Sequence, residues 1–120
     1  MNDKVEKYSW GYEAVWANAD GYGAKHMMFL RAGNKTDIFF QRKTHKNWFV
    51  ASGSFSIKWI DTTDGKVYES KLEEGSVFEV PPLKPVCLEA LVDNSSITEV
   101  NNGIYDNDKF IVYPSHNVGV

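Results

Sequence analysis

From residue 22 onward the chain is a series of short segments rich in β-branched and aromatic residues. Turn-forming residues separate these segments at intervals of roughly ten residues, a spacing that is typical of antiparallel sandwiches and barrels. The predicted strands are 22–31, 36–41, 48–60, 67–72, 76–80, 86–92 and 96–101. Strong helical periodicity is scarce, so the sequence predicts an all-β protein.

The middle of the chain contains a clear hairpin signal. Phe55, Ile57 and Trp59 alternate with polar residues, and this period of two predicts a strand with one face in the core. The Asp64-Gly65 pair that follows predicts a tight turn, because such hairpin turns need residues that accept positive φ. We therefore expect the segments on either side of this turn to pair.

Near the N-terminus, Val5, Tyr8, Tyr12 and Val15 recur at approximately helical spacing. Gly11 interrupts this run, and aromatic and β-branched side chains prefer strands, so we predict an extended segment. It would form an N-terminal arm (residues 1–20) beside a barrel (residues 21–115). Edge strands of barrels are usually covered by such an arm or by a second copy, so a homodimer is expected.

Composition narrows the class of protein. A chain of 120 residues with 42% apolar residues can bury one core, and we expect a single domain. The formal net charge of −3 lacks the basic surplus of a nucleic-acid binder. The single cysteine, Cys87, excludes an internal disulfide, and neither a secretory leader nor an apolar segment of membrane-spanning length is apparent. We expect a cytoplasmic protein that binds neither nucleic acid nor membranes.

The order of glycines, prolines and strands resembles the cupin double-stranded β-helix, a jelly-roll barrel. The specific likeness is to the cupin domain of type II phosphomannose isomerases, which are often fused to mannose-1-phosphate guanylyltransferases. It is carried by SWGYE at 9–13, FLRAG at 29–33, WFVASG at 48–53, DGK at 64–66, GSVFEVPP at 75–82 and YDND at 105–108. The resemblance covers residues 8–115 and implies a single cupin domain.

A metal-dependent cupin directs imidazole and carboxylate ligands toward one point in the barrel mouth. The resemblance places these four positions on Phe39, Gln41, Lys46 and Cys87. A phenyl ring cannot bind a metal and an ammonium repels one, so the set does not make a conventional site. The resemblance therefore implies a cupin without a metal or another cofactor.

A slipped set of ligands is the alternative to this interpretation. Gln41, His45 and Cys87, joined by Glu89, carry lone pairs that a divalent ion could use. Glu89 lies two residues beyond Cys87 and would share its face of the strand. Under the main interpretation Cys87 is a small buried hydrophobe rather than a ligand or a nucleophile.

The connection 41–48 concentrates basic side chains just before a tryptophan. Lysine or arginine binds phosphate, and a tryptophan ring can stack on a sugar face, which suggests a sugar-phosphate site. The candidate ligand-binding residues are Gln41, Lys43, Lys46, Trp48, Cys87 and Glu89. Alternation favours Gln41 and Lys43 as the pair that points inward. The alternative is a solvated hairpin loop with Trp48 in the core.

Three functional hypotheses follow. The first is a metal-free cupin that binds a carbohydrate or sugar phosphate in the barrel mouth. The second, implied by the resemblance, is a sugar-phosphate isomerase or epimerase similar to mannose-6-phosphate isomerase, with His26, His45 or Lys43 as candidates for proton transfer. The third is a structural or partner-binding protein whose barrel is filled with side chains.

Overall fold

The chain folds into β-strands joined by short turns in the computed structural model, which describes residues 4–117. The strands are β1 (Lys4–Tyr8), β2 (Gly11–Ala19), β3 (Tyr22–Phe29), β4 (Ile38–Gln41), β5 (Lys46–Ser52), β6 (Ser54–Ile60), β7 (Val67–Glu73), β8 (Val77–Val80), β9 (Val86–Ala90), β10 (Ser95–Asn101) and β11 (Lys109–Tyr113). Between residues 4 and 117 there is no helix that could span a membrane.

The strands form two antiparallel sheets that face each other across one core. The six-stranded sheet has the order β1-β2-β3-β10-β5-β8, and the five-stranded sheet has the order β11-β4-β9-β6-β7. Apolar side chains from the facing surfaces interdigitate, as in other sandwiches. Phe29 and Ile97 of the first sheet and Phe55, Ile57 and Leu88 of the second are fully buried between them. The prediction of an all-β single domain is confirmed.

The hairpin predicted around Asp64-Gly65 is present. Ile60 pairs with Val67 across the turn, and Gly65 has a φ of 71°. Phe55 and Ile57 are fully buried, and Trp59 packs against the same core, so the alternation was interpreted correctly.

The prediction of one strand over residues 48–60 is wrong. β5 ends at Ser52 in the six-stranded sheet, and β6 begins at Ser54 in the five-stranded sheet. Gly53 makes the crossing with a φ of 73°, and a Cβ there would lie 2.1 Å from the Ser95 Oγ. Apolar alternation continues on both sides of the crossing, which is why the sequence resembles one long strand.

The N-terminal segment is extended, as predicted. β1 and β2 form a hairpin, and β2 continues the six-stranded sheet by pairing with β3. Residues 1–3 of the expected arm lie outside the described residues. β11 was not predicted, and it pairs with β4 so that Lys109 lies opposite Gln41. This pairing brings a C-terminal lysine to the same end of the barrel as the residues of β4 and β5.

Candidate ligand-binding site in the barrel mouth

A cavity of about 320 Å³, here called the barrel mouth, lies between the two sheets. Its wall contains both aromatic rings and charged groups. The rings belong to Tyr8, Trp10, Phe39, Trp48 and Tyr105. The charged side chains belong to Glu6, Glu13, Lys25, Lys46, Glu99, Asp106 and Lys109. A concave site with apolar walls and a few convergent polar groups is the usual form of a small-molecule site.

Lys46 is the buried cation of the barrel mouth, with only 3% of its surface exposed. Its Nζ donates a hydrogen bond of 2.5 Å to the Gln41 Oε1, which links the two sheets. The Nζ also lies 4.5 Å from the centroid of the Phe39 ring and 4.8 Å from that of Trp48. Lys46 therefore projects inward from β5 between two rings and an amide.

This environment makes the ammonium form of Lys46 unfavourable. Burial is the main reason that its pKa falls from 10.5 to about 8, since removing the charge from water is costly. Glu99 opposes this fall, whereas Lys25 and Lys109 add to it. A substantial fraction of Lys46 is consequently a neutral amine in mildly alkaline solution.

Lys25 and Glu99 form the charged centre of the six-stranded sheet, where they are cross-strand partners. The Lys25 Nζ lies 3.1 Å from the Glu13 Oε2 and 3.9 Å from the Glu99 Oε2. Burial lowers the pKa of Lys25, but the two carboxylates outweigh it and the pKa rises. Glu99 also accepts hydrogen bonds of 2.8 Å from Trp48 Nε1 and Asn101 Nδ2. Burial alone would raise the pKa of Glu99, but Lys25 and these donors lower it.

Lys109 reaches the barrel mouth from β11. Its Nζ lies 4.8 Å from the centroid of Phe39 and 5.4 Å from that of Tyr8, and burial lowers its pKa. Among the described residues, no carboxylate lies within ion-pair distance of either Lys46 or Lys109. The Tyr8 hydroxyl is 3.0 Å from both Glu6 Oε2 and Glu13 Oε1, and burial raises its pKa, so it remains a neutral donor.

The loop 103–107 covers one side of the barrel mouth and is anchored at both ends. On one side, the Asp108 carboxylate accepts hydrogen bonds from three backbone N–H groups of residues 42–44 and from the Thr44 hydroxyl. On the other, Asn102 exchanges hydrogen bonds with His45 N and Lys43 O. Between these anchors Tyr105 is 41% exposed, so its ring is accessible at the entrance.

Three of the four inward positions implied by the resemblance do converge, namely Phe39, Gln41 and Lys46. The fourth assignment, Cys87, is wrong. Val86 pairs with Phe39 and belongs to the core, whereas Cys87 points away from it and its Sγ contacts the Thr36 carbonyl at 3.3 Å. A displacement of one residue along a strand moves a side chain to the opposite face. Burial raises the pKa of the Cys87 thiol, which does not favour a nucleophile.

Cys87 and Glu89 lie together, as predicted, but on the outer face of the five-stranded sheet. They line a separate cavity of about 200 Å³ that residues 113–116 cover. His45 is also outside the barrel, where its Nε2 lies 2.7 Å from the Glu79 Oε2. The slipped set of Gln41, His45, Cys87 and Glu89 therefore does not converge. In the described part of the chain, no group of three or more His, Cys, Asp or Glu side chains could hold a metal ion.

The predicted inward pair of Gln41 and Lys43 is also wrong. β4 ends at Gln41, so its alternation does not extend to Lys43, which is exposed with its Nζ 5.9 Å from the Tyr105 ring. The inward partner of Gln41 is Lys46. Trp48 is fully buried, so its ring cannot stack on a sugar as proposed from the sequence.

Of the candidates for proton transfer, His26 alternates along β3 with Lys25 and Met27, both of which line the barrel mouth. His26 therefore faces the other side of the sheet. Sequence reasoning missed Lys25, Glu99 and Lys109, because a charged residue in an amphipathic strand is normally assigned to the solvent face. The available signal for Lys25 and Glu99 was their inward parity relative to Met27 and Ile97.

The structure is similar to solved structures of larger proteins. It matches the capsular polysaccharide assembling protein CapF from Staphylococcus aureus with a TM-score of 0.80 and 15% identity, over 94% of this chain and 33% of that one. It matches Bacillus subtilis oxalate decarboxylase with a TM-score of 0.78 and 16% identity, over 92% of this chain and 30% of that one. This chain thus spans about a third of either length. No family model and no curated protein sequence matches it.

Both neighbours are cupin-fold proteins, and the chain has the cupin jelly-roll fold, as the sequence predicted. At this level of identity the likeness shows the fold alone. The oxalate decarboxylase has Mn(II) centres. In this chain the inward positions carry Phe39, Gln41, Lys46 and Val86, which do not form a donor set for a divalent ion.

Proposed function

We propose that the barrel mouth binds a small carbohydrate that carries a phosphate group, and that it does so without a metal. The observation that carries this proposal is that Lys46 and Lys109 both face one cavity and lack a carboxylate partner among the described residues. The cavity volume of about 320 Å³ is at the lower end of the usual range for small-ligand sites.

The two lysines have different depths, which suggests different roles. Lys109 is an exposed residue that lies near the loop 103–107, so its ammonium can bind a phosphate at the entrance. Lys46 lies at the buried end and can donate hydrogen bonds to a sugar oxygen. In the same sheet as Lys46, Glu13 and Glu99 are acceptors for sugar hydroxyls. The ring of Tyr105 is accessible for stacking on a sugar, whereas the ring of Trp48 is buried.

An isomerase or epimerase of sugar phosphates is the second candidate. It is supported by the pKa of about 8 for Lys46, since a group poised near neutrality can both accept and donate a proton. A purely structural barrel has less support, because three lysines in the wall of a cavity contribute nothing to apolar packing.

Binding can be measured by calorimetry and thermal shift with glucose 6-phosphate, mannose 6-phosphate, the neutral hexoses and inorganic phosphate, all in the presence of a chelator. Hexose phosphates are expected to stabilise the protein, by about 2.7 kcal/mol at a hundred times the dissociation constant. Lys109→Met should weaken their binding by about 10- to 100-fold, since a hydrogen bond to a charged group contributes roughly 1.5–3 kcal/mol.

The matched control is Lys66→Met, which removes the same charge from the exposed β6–β7 turn. It should leave binding unchanged. Equal effects of the two variants, equal binding of neutral hexoses, or binding that requires an added metal would refute the proposal.

A further inference from the structure

We propose that Lys46 is a nucleophile that forms an imine with the carbonyl carbon of an open-chain sugar or a similar small aldehyde or ketone. This inference assigns a covalent chemistry to the barrel mouth, and its sugar-phosphate form rests on the proposed function. The reactivity of Lys46 toward a neutral aldehyde does not depend on the proposed function.

The first argument is the position of the amine. Lys46 Nζ has one hydrogen-bond partner in the described structure, the Gln41 Oε1, which is an acceptor only. This acceptor is satisfied by an N–H of either the amine or the ammonium, so the neutral amine keeps a lone pair free. The Nζ faces a cavity large enough for a small carbonyl compound.

The second argument is that neither neighbouring lysine offers a neutral amine in a buried position, as Lys46 does. Lys25 is held as an ammonium by Glu13 and Glu99, so it has no lone pair to offer. Lys109 lies closer to solvent. Lys46 is the most buried of the three, and burial with few compensating charges is the arrangement that activates amine nucleophiles.

Glu6 and Tyr8 of β1 and Asp106 of the loop 103–107 line the same cavity as Lys46, but the groups that set its charge state lie on four other strands. They are Glu13 on β2, Lys25 on β3, Glu99 on β10 and Lys109 on β11, while β4 contributes the neutral Phe39 and Gln41. The net result is the lowered pKa of about 8. At neutral pH a lysine with that pKa contains over a hundredfold more free amine than one at 10.5.

The reaction balances without an oxidant or reductant. The Nζ lone pair forms a bond to the carbonyl carbon, the carbonyl oxygen takes up a proton and the Nζ loses one, which gives a carbinolamine. Loss of water from this intermediate, with the oxygen protonated again and the nitrogen deprotonated, leaves the C=N bond. The ammonium groups of Lys25 and Lys109 are acids in the same cavity that can supply the protons.

The test is reductive trapping. Full-length protein is incubated at pH 7.5 with glyceraldehyde or with glyceraldehyde 3-phosphate, and cyanoborohydride transfers hydride to any imine to give a stable secondary amine. Intact mass and peptide mapping then locate the adduct. Lys46 should be labelled at least about tenfold faster than the exposed Lys66, and its labelling should rise with pH through about 8.

Two variants complete the test. Lys46→Met should abolish the fast adduct, and if this variant does not fold, peptide mapping of the natural sequence still decides the outcome. Equal labelling of Lys46 and Lys66, or an unchanged fast adduct in Lys46→Met, would overturn the inference.

The inference and the proposed function fail separately. Hexose phosphate binding without labelling of Lys46 overturns the imine and leaves the proposed function standing. Fast labelling by both aldehydes, with no phosphate preference and no hexose phosphate binding, supports the imine and overturns the proposed function. Lys109→Met should slow labelling by the phosphorylated aldehyde more than labelling by glyceraldehyde, because it removes a phosphate contact as well as one of the acids in the cavity.

Discussion

Replacing Lys46 by methionine should make the protein more stable at neutral pH, although it removes a buried hydrogen bond. The pKa of this lysine falls from 10.5 in the unfolded chain to about 8 in the fold. This difference corresponds to about 3 kcal/mol by which the buried ammonium destabilises the folded state at pH 7. Methionine has a similar length and is apolar, so it can fill the same space between Phe39 and Trp48.

The gain is partly offset at Gln41. Its Oε1 loses the donor at 2.5 Å, which costs roughly 1–2 kcal/mol for a partly buried acceptor left unpaired. The net effect of Lys46→Met at pH 7 is therefore an increase of about 1–2 kcal/mol in the free energy of unfolding.

The pH dependence of the stability difference distinguishes the effect of the Lys46 charge from the effect of packing. Because the folded pKa is depressed, the destabilisation is fully present below pH 8 and disappears as the pH rises toward 10.5, where the unfolded chain also loses the proton. The natural sequence should thus regain about 2–3 kcal/mol relative to the variant between pH 7 and pH 10. Titrating groups that do not interact with Lys46 are common to both proteins and cancel in the difference.

Urea unfolding of both proteins at several pH values measures this difference, with Lys66→Met as the exposed control whose effect should not depend on pH. A difference between the natural protein and Lys46→Met that stays constant from pH 7 to pH 10 would refute the reasoning. It would mean that Lys46 has the same charge state in the folded and unfolded chains across this range.

Two further predictions concern stability. Gly53→Ala should lower the stability measured by thermal unfolding by several kcal/mol, because the new Cβ would lie 2.1 Å from the Ser95 Oγ. The control Gly33→Ala, at a φ of 89° but with nothing within 4 Å of the new Cβ, should cost only about 1 kcal/mol. Equal losses of stability in the two variants would contradict the steric argument. Asp108→Asn should lower stability at pH 7 by about 2 kcal/mol, because an amide presents donors to the N–H groups of residues 42–44. Burial opposes the charge of Asp108, but the hydrogen bonds outweigh it and keep its pKa below 3.8, so its contribution is present above 3.8 and is lost as the pH falls through the folded value. The two proteins should therefore converge in acid, and an undiminished difference there would argue against the carboxylate's role.

Much of the fold was predictable because it depends on local patterns. The alternation of Phe55, Ile57 and Trp59 and the Asp64-Gly65 turn identified a hairpin that the structure contains. The division of 48–60 at Gly53 was not predictable in this way, because it depends on the close approach of Ser95 from a distant strand. β11 was missed for a similar reason, since its pairing with β4 joins residues far apart in the chain.

The candidate site was only partly predictable. Gln41 and Lys46 were identified, and they are in contact. Lys43, Cys87 and Glu89 were assigned to the same site, but strand ends and a one-residue offset place them elsewhere. Alternation gives relative faces within one strand, and it cannot say which face is the interior when both faces carry polar residues.

The sequence by itself determined an all-β sandwich or barrel, because the period of its apolar residues and the position of its turns are local properties of the chain, and the resemblance narrowed this to the cupin jelly roll. The resemblance also predicted that Phe39, Gln41 and Lys46 point inward, and all three line the barrel mouth. Only the tertiary structure decided that Lys25, Lys46, Glu99 and Lys109 share one cavity, since they come from four strands of two sheets. The charge state of Lys46 is likewise a tertiary property, because it results from burial and from charges on strands that the sequence alone does not bring together.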